Sequence, residues 1–504
     1  MNTLKISLLH AEILHARTRE NRALIVSMAS NAADNGARII IAPEMCLSGY
    51  IFNNRDSIAP YVETAEGPAA QTFSRLAKEK AVFLAAGFAE NDPATGIYYN
   101  TAFVWGPDGK ELVRYRKINA ESRWACPGPA SQDNVFDTPW GKCALLICSD
   151  TYHSLPARTA ALKGARLLLI PANWPPSGKF PENVWRFRAL ENGVWLAAAN
   201  RTGNEPEFDC RECRSYVFTP EGKELSSHKS ERSSFLDAEI PLSPDGGMDL
   251  SSRREEILAS RRPWLWHRLY ANLAFFRDIT GGLGLPAPGP TEIALAPPGK
   301  GAHPADALAS RAGNLKSGML VALPLFDWEE AAISRLEALA KEKDVTIITA
   351  EEDEDKDRTH IVIRPDGTDL VPLSDDRPSP PLHAGTLAVE PVRMRDLLHP
   401  EAAVSAAKRG ADLLLAAERE LSPDDVFTVG MRTIDQAACL ACASDGAALG
   451  LIPDGHAPGK LFNVEGGGWL TVTLDSSDTR VKRFQDRVDY QEILKEGGKG
   501  PWDD

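Results

Sequence analysis

RLAKEKAVFLAAGFAEND, residues 75 to 92, has a close copy in the second half of the chain, ALAKEKDVTIITAEEDED, residues 338 to 355. Both stretches read as a helix that runs into a strand. Three more pairs of stretches occur in the same order: TLKISLLH from Thr3 with TEIALAPP from Thr291, NTAFVWGPDGKELV from Asn100 with RTHIVIRPDGTDLV from Arg358, and ARTAALKGARLLLIPANW from Ala157 with AVSAAKRGADLLLAAER from Ala403. An ordered set of four matched units predicts two tandem copies of one domain.

The length of the chain agrees with this division. Its 504 residues are too many for one ordinary core and suggest two or three domains. We expect a first copy over residues 1–262 and a second copy over residues 290–490. A connecting helix and a Pro/Gly-rich linker, 263–289, which ends in LPAPG, separate them. Residues 491–504 form a C-terminal tail.

Each copy alternates short β-branched runs such as ARIIIAP with helical runs such as SRLAKEKA. Tight PDG or PEG turns join several of the predicted strand pairs. The pattern predicts an α/β layered domain that contains some antiparallel pairing.

Composition limits the classes of partner. The chain is 43% hydrophobic and 25% charged, which is typical of a folded protein. Its formal net charge of -14 argues against nucleic acid or an anionic membrane as partner and favours a small molecule. The start of the chain lacks the apolar core of a signal peptide, and WLWHRLYANLAFF, 264–276, is too short to span a bilayer and predicts a packed helix or hinge. We therefore expect a cytoplasmic protein.

Eight cysteines in a chain of this length do not make a disulfide scaffold, and we expect them to be reduced. Two CxxC pairs, Cys210 with Cys213 and Cys439 with Cys442, raise the alternative of a zinc site. The second pair lies in QAACLACAS, which reads as a buried strand, and alternation along a strand aims Cys439 and Cys442 at opposite faces. We expect no metal site.

Three apolar runs of the first copy end in residues able to do chemistry. ARIIIAPE ends on Glu44, ELVRYRK on Lys117 and KCALLIC on Cys148. Residues just past strand C-termini converge on one rim of an α/β sheet. Taken singly, the three fit a surface or capping carboxylate, a solvated lysine and a core cysteine. Their combination and their neighbours in sequence favour a catalytic site.

The contexts of these residues, APEMCLSGY, YRKIN and LLICSD, resemble the nitrilase superfamily of carbon-nitrogen hydrolases. GPDGKEL, Pro127 with Gly128, GARLLLIPANW and RALENGVWLAAANRTG extend the resemblance over nearly all of residues 1–262. It implies an α-β-β-α sandwich in each copy. It also implies hydrolysis of a non-peptide carbon-nitrogen bond without a metal or organic cofactor.

The resemblance implies a role for each residue. Cys148 attacks a small amide as a thiolate, and Glu44 first accepts the thiol proton and then protonates the departing ammonia or amine. Lys117 and the backbone N–H of Ser149 stabilise the oxyanion, at about 3 to 4 kcal/mol per donor in other acyl-transfer sites. Water activated by Glu44 then cleaves the thioester.

Further residues are assigned by position. Glu121 matches a second glutamate that orients substrate and lysine in many members of this superfamily, although alone it reads as a surface charge. Pocket-wall positions, which also suit simple packing, are Tyr50, Trp124 and Trp174. His153 suggests a Cys-His pair of the papain kind, but the resemblance assigns the base to Glu44 and leaves His153 to line the pocket.

Cys148-Ser149-Asp150 fits the amidase branch better than true nitrilases, which usually follow the cysteine with Trp-Glu. The Pro-Glu that often comes about six residues after the cysteine is here Pro156-Ala157, two positions later. The substrate therefore stays open among an aliphatic amide, an ω-amide of a dicarboxylic acid and an N-carbamoyl amine. The alternatives are nitrile hydrolysis or acyl transfer by the same triad, and a non-catalytic binding or scaffold protein.

The second copy is predicted to be catalytically inactive. The repeats, aligned on their PDG turns and on KGA with RGA after a two-residue loop correction, set a different residue against each catalytic one: Leu325 against Glu44, Asp375 against Lys117 and Met394 against Cys148. Members of the superfamily commonly pair two such domains, so the tandem chain is expected to form an internal pseudo-dimer. Further self-association of the chain is left open.

Overall fold

The computed structural model describes residues 2–175, 181–250, 252–271, 278–354, 357–374, 381–453 and 459–481. The predicted tail at 491–504 and Asp375 lie outside the described residues. The chain divides between Ala259 and Ser260 into two compact units.

The first unit is built from two six-stranded sheets, a small hairpin and six helices among its described residues. Its strands are β1 (Thr3–His10), β2 (Ile39–Ile41), β3 (Phe83–Asn91), β4 (Tyr98–Trp105), β5 (Glu111–Arg116), β6 (Val135–Phe136), β7 (Cys143–Leu145), β8 (Leu167–Pro171), β9 (Trp195–Ala199), β10 (Asn204–Glu205), β11 (Phe208–Asp209), β12 (Ser215–Phe218), β13 (Glu224–His228) and β14 (Ser234–Pro241). Its helices are α1 (Thr18–Asp34), α2 (Arg55–Ile58), α3 (Pro68–Lys80), α4 (Ser154–Leu162), α5 (Pro181–Asn192) and α6 (Arg253–Ala259).

Each sheet has a parallel centre and antiparallel edges. The first has the order β14-β1-β2-β3-β4-β5, with β1, β2 and β3 parallel. The second has the order β13-β12-β9-β8-β7-β6, with β7, β8 and β9 parallel. The run Ile39–Ile41 forms β2 and is completely buried, as expected for a central strand that is covered on both faces.

The layers follow from where the apolar side chains point. On one side of the first sheet, α1 and α3 bury a shared core that includes Ile25, Phe73 and Leu84. On its other side, β1, β2 and β3 contact β8 and β9 of the second sheet, against which α5 packs. The unit is therefore an α-β-β-α sandwich.

The second unit contains the following strands: β15 (Pro290–Leu295), β16 (Leu320–Leu325), β17 (Thr346–Glu352), β18 (Arg358–Arg364), β19 (Gly367–Pro372), β20 (Leu382–Ala384), β21 (Leu387–Val392), β22 (Leu413–Ala417), β23 (Ala438–Cys442), β24 (Gly446–Gly450), β25 (Leu461–Glu465) and β26 (Leu470–Asp475). Its helices are α7 (Ile279–Gly282), α8 (Pro304–Ala309), α9 (Glu330–Lys343), α10 (Pro400–Lys408), α11 (Pro423–Arg432) and α12 (Ser476–Thr479).

The second unit repeats the topology of the first. Its sheets have the orders β26-β15-β16-β17-β18-β19 and β25-β24-β23-β22-β21-β20, again with three parallel central strands each. The matched helices α3 and α9 both end on a left-handed residue, Ala81 in one and Asp344 in the other. The α/β fold predicted from the repeat is confirmed in both units.

Side chains of the second unit form the same layers. Ile293 and Leu320 of one sheet share a core with Leu413 and Leu440 of the other. The outer faces are covered by α8 and α9 on one side and by α10 and α11 on the other. Cys439 points to the helix side and Cys442 to the space between the sheets, so this CxxC pair faces two directions as predicted.

The segment that was predicted to be a helix or hinge begins as a 3-10 helix, Pro263–Tyr270, and its residues 272–276 lie outside the described part of the chain. Within the described ranges, no helix has both the length and the hydrophobicity needed to cross a bilayer.

Candidate active site

The fold brings the three predicted catalytic side chains to one end of the first sandwich. Glu44 lies three residues beyond β2, and Lys117 directly follows β5, which runs in the same direction in the same sheet. Cys148 lies three residues beyond β7 of the facing sheet. The exposed fraction is 1% for Glu44, 1% for Lys117 and 4% for Cys148, so the three side chains lie in a desolvated environment.

Lys117 is held between two carboxylates. Its Nζ atom lies 2.6 Å from Oε1 of Glu44 and 2.7 Å from Oε1 of Glu121. Asn100 on β4 donates from one Nδ2 atom to Glu44 Oε1 at 2.7 Å and to Glu121 Oε2 at 3.1 Å. The four side chains therefore form one buried network in which Lys117 and Asn100 both donate to each carboxylate.

The two carboxyl groups of this network have opposite pKa shifts. Burial raises the pKa of Glu44 from 4.5 to about 7, against the opposing effect of the Lys117 ammonium. Burial also acts on Glu121, but Lys117 and the donors Tyr50 and Asn100 outweigh it and lower the pKa of that carboxyl. Two carboxyl groups whose pKa values are shifted in opposite directions suit different roles: Glu44 can transfer a proton, and Glu121 favours the ionised form.

The two carboxylate oxygens of Glu44 have different surroundings. Its Oε1 accepts both hydrogen bonds described above, whereas Oε2 is buried and has no hydrogen-bond partner among the described residues. A buried acceptor without a partner is costly unless the site uses it. This oxygen can accept a proton from a neighbouring thiol.

Cys148 is a strained and neutral thiol at rest. It opens the 3-10 helix Cys148–Tyr152 with a φ of 45°, a left-handed conformation that a residue with a Cβ adopts only at a cost of about 1 to 3 kcal/mol. Burial and the Glu44 carboxylate raise its pKa well above the ordinary value, while Lys117 and the backbone N–H of Asn173 oppose the shift. The thiol therefore needs a base before it can attack.

Asp150 connects the nucleophile to the lysine. Its carboxylate accepts hydrogen bonds from the backbone N–H of Asn119 at 2.7 Å, from Ile118 N–H at 3.4 Å and from the Tyr115 hydroxyl at 3.0 Å. Burial raises its pKa to about 6. Since Tyr115 lies two residues before Lys117 and Ile118 and Asn119 follow it directly, Asp150 fixes the turn of Cys148 against the segment of Lys117.

The remaining predicted site residues have different surroundings. Ser149 is half-buried, and its Oγ donates to Asn119 O at 3.3 Å. His153 lies at the end of the 3-10 helix that begins at Cys148, with its ring 5.6 Å from that of Tyr152, edge to face. No described contact joins His153 to Glu44 or Cys148.

The three predicted pocket walls are not equivalent. Trp124 is buried in an apolar cluster with Met45, Phe52 and Ile58, which is a packing environment. Trp174 directly follows Asn173, and its backbone N–H and C=O are both bonded by the side chain of Asn200. Tyr50 contacts the catalytic network itself, because its hydroxyl donates to Glu121.

Two contributors were missed at the level of sequence. Asn100 had a signal, since it begins one of the repeated stretches and its counterpart there is Arg358. Glu205 had none, because it lies in a polar Gly-Asn-Glu-Pro run that reads as a loop. Its carboxylate accepts hydrogen bonds from the backbone of Tyr50, 155 positions earlier in the chain, and of Ile51.

The second unit has apolar residues at the matching positions. Register within the parallel sheets places Met394 at the position of Cys148, as predicted. Phe326 N–H donates to Ala350 O as Cys46 N–H donates to Gly87 O, so the segment that matches Pro43–Met45 is one residue shorter in the second unit and holds Leu325. The match of Asp375 with Lys117 is wrong. Lys117 N–H donates to Asn100 O and Leu373 N–H donates to Arg358 O, both at 2.8 Å, so Leu373 occupies that position.

The error came from the turn between the two strands. The β4-β5 hairpin has a bulge between Val104 and Trp105 and a longer loop, whereas β18 and β19 pair without interruption from Thr359 to Arg364. Counting from the PDG turn therefore overshoots by two residues, which no residue type in the sequence reveals.

The first unit is similar in sequence to known carbon-nitrogen hydrolases. The family model for carbon-nitrogen hydrolases matches residues 5–244, all within the first unit. Omega-amidase NIT2 of Mus musculus is 30% identical over 245 residues, which cover 46% of this chain and 86% of that protein. Omega-amidase NIT2-A of Xenopus laevis is 32% identical over 256 residues, which cover 48% of this chain and 88% of that protein.

Among solved structures, Saccharomyces cerevisiae Nit3, a member of branch 10 of the nitrilase superfamily, aligns with a TM-score of 0.44 at 24% identity. The alignment covers 48% of this chain and 91% of Nit3.

Proposed function

The chain belongs to the carbon-nitrogen hydrolase family of the nitrilase superfamily, and on this premise we propose that its first unit hydrolyses a small linear amide through a thioester on Cys148. Of the three substrate classes left open by the sequence, an ω-amide of a dicarboxylic acid is the first to test, since the two relatives above are named omega-amidases.

In the proposed reaction, the free Oε2 of Glu44 accepts the Cys148 proton and the thiolate attacks the amide carbonyl. Lys117 and the backbone N–H of Ser149 stabilise the oxyanion as it forms. Glu44 then passes its proton to the nitrogen, which leaves as ammonia or an amine. Water gives a proton to Glu44 and attacks the thioester, the acid is released, and Glu44 returns the proton to the departing sulfur of Cys148.

One observation carries this proposal: the buried ammonium of Lys117 between two carboxylates whose pKa values diverge. An ionised Glu121 alone balances the charge of Lys117, so Glu44 is free to gain and lose a proton. A purely structural ion pair would not need a third charged group or an unpartnered carboxylate oxygen.

The test is to incubate the intact chain with pooled small amides, ω-amides, N-carbamoyl amines and nitriles, and to record ammonia release and intact mass. We expect ammonia release and a transient acyl adduct that peptide mapping assigns to Cys148. Turnover of nitriles alone would indicate a nitrilase. Two results together would refute the thioester: ammonia release by the wild type without an adduct on Cys148, and hydrolysis that persists in Cys148→Ser.

A further inference from the structure

Glu205 is buried, and its carboxylate contacts the loop that contains Glu44, although no motif in the sequence indicates this contact. Its side chain has no exposed surface, and its carboxylate accepts the backbone N–H groups of Tyr50 at 2.9 Å and Ile51 at 3.0 Å. Tyr50 ends the stretch APEMCLSGY that contains Glu44, and Ile51 follows it directly. The carboxylate is in turn bonded by the guanidinium of Arg201 and by Nδ1 of His15.

The fit between the two loops is close. Gly49 has a φ of 80°, and a Cβ atom at this position would lie 2.8 Å from Oε1 of Glu205. Only glycine allows the carboxylate to approach the backbone here. The contact is therefore built from both sides, by a glycine on one loop and a buried acid on the other.

Tyr50 is held a second time by the same hairpin. Glu205 on β10 is the cross-strand partner of Phe208 on β11, and the Phe208 ring stacks on the Tyr50 ring with centroids 5.2 Å apart. One hairpin thus fixes the backbone of Tyr50 through Glu205 and its ring through Phe208.

The position of Tyr50 matters to the site because its hydroxyl donates to Glu121 and its ring centroid lies 5.4 Å from Nζ of Lys117. Glu121 also receives hydrogen bonds from Lys117 and Asn100, so three donors converge on this carboxylate. Moving Tyr50 removes one of them and releases Glu121 from its fixed orientation toward Lys117.

We propose that Glu205 and Phe208 are positioning residues for amide hydrolysis, which act through Tyr50 to hold Glu121 and Lys117 in their working arrangement. The inference rests on the proposed function and assigns to the β10-β11 hairpin a role beyond closing the fold. Displacing a catalytic group by about 1 Å costs up to about a hundredfold in rate, so this hairpin governs kcat.

The experiment compares Glu205→Gln, Phe208→Leu and Tyr50→Phe in the full chain. Glu205→Gln leaves the buried Arg201 without its counter-charge and is at risk of misfolding. Phe208→Leu keeps every ionic contact and serves as the second variant. Glu63→Gln is the matched control, because Glu63 also accepts a backbone N–H, from Ala69 at 2.7 Å, and pairs with an arginine, Arg22 at 3.7 Å, but does so at the start of α3.

We expect Glu205→Gln and Phe208→Leu to lower kcat by about 10- to 100-fold with KM changed by less than about threefold. The acid limb of the kcat profile should move, since the Glu121 carboxylate, which Lys117, Glu44 and Asn100 also face, loses one hydrogen bond and these groups titrate as one coupled site. Adding Tyr50→Phe to Phe208→Leu should lower kcat little further, because both changes act through the hydrogen bond from Tyr50 to Glu121. Glu63→Gln should match the wild type.

A folded Phe208→Leu variant with wild-type kcat and an unchanged pH profile would overturn the inference. So would a double variant whose kcat falls by the product of the two single-variant reductions. A second measurement does not depend on amide hydrolysis: the extent of Cys148 alkylation by iodoacetamide, measured by peptide mass at a series of pH values. It distinguishes failure of the positioning role from failure of the proposed function. If the wild type hydrolyses no amide, a changed alkylation midpoint in Phe208→Leu but not in Glu63→Gln still supports positioning, and identical profiles refute it.

Discussion

Nζ of Lys117 lies 2.6 Å from Oε1 of Glu44, and neither side chain has any exposed surface. An ion pair removed from water in this way is weak evidence of stability, because desolvation offsets most of the attraction. Its value to the molecule is that it sets the protonation state of the acid.

The rate of amide hydrolysis should depend on the ionisation of Glu44. Burial raises the pKa of this carboxyl to about 7, and only the carboxylate can accept the thiol proton. We expect kcat/KM to rise with pH through neutrality and to level off above it. Since Glu44, Glu121 and Cys148 are coupled, the midpoint belongs to the site as a whole. A profile that stays flat from pH 5 to 8 would contradict this assignment of the base.

The same shift predicts how stability varies with pH. The pKa of Glu44 is 4.5 in the ordinary case and about 7 in the folded protein, so its contribution to stability is complete below the lower value and is lost as pH rises through the higher one. Glutamine carries no charge at any pH. The Tm of Glu44→Gln minus that of the wild type should therefore increase as pH rises across this window. A difference that stays constant or decreases would show that Glu44 is not held with a raised pKa.

Cys148→Ser should abolish turnover and leave the fold intact, because the change removes the nucleophilic sulfur and almost no volume. Ammonia release and circular dichroism measure the two effects. Cys126→Ser is the matched control, since Cys126 is a half-buried cysteine of the same unit whose only described side-chain hydrogen bond is to Pro127 O, at 3.6 Å. Equal losses in both variants would indicate a general effect of removing a thiol.

Asp150→Asn should lower both stability and kcat. The Asp150 carboxylate accepts three hydrogen bonds, from the Tyr115 hydroxyl and the Ile118 and Asn119 backbone, and an amide NH₂ cannot replace both oxygens as acceptors. Leaving a buried donor unpaired costs about 1 to 3 kcal/mol, which urea unfolding can resolve. Unchanged stability with reduced kcat would mean that Asp150 acts in the reaction more directly than through its contacts.

The sequence predicted the parts of the site that are tied to strand ends. Glu44, Lys117 and Cys148 each follow a short apolar run, and the fold places all three at one end of the sandwich. The repeat predicted the tandem α/β fold for the same reason, since matched strands and helices keep their order. Local patterns therefore carry both the topology and the positions where strands end.

What the sequence did not predict depends on contacts between distant segments. Asn100 donates to two carboxylates because neighbouring strands bring them together, and Glu205 reaches Tyr50 across 155 positions of the chain. The bulge after Val104 shifted one aligned position from Asp375 to Leu373. Register, bulges and long-range hydrogen bonds are set by tertiary packing and leave little trace in residue type.

The second unit should contribute no turnover of its own. Its segments that match those of Glu44, Lys117 and Cys148 hold Leu325, Leu373 and Met394. The Glu418 carboxylate accepts the Met394 N–H at 2.9 Å but is already paired with the guanidinium of Arg358 at 2.6 Å. Met394→Cys in a Cys148→Ala background restores the sulfur alone, and a buried thiol without a free base stays protonated. We expect this full-length double variant to release no ammonia from any amide that the wild type hydrolyses and to form no acyl adduct at position 394. Cys148→Ala alone is the control, with the wild type as reference for folding by circular dichroism. An adduct at position 394, or turnover above the control, would show that the second unit supplies a base by another route, and its classification as inactive would then fail.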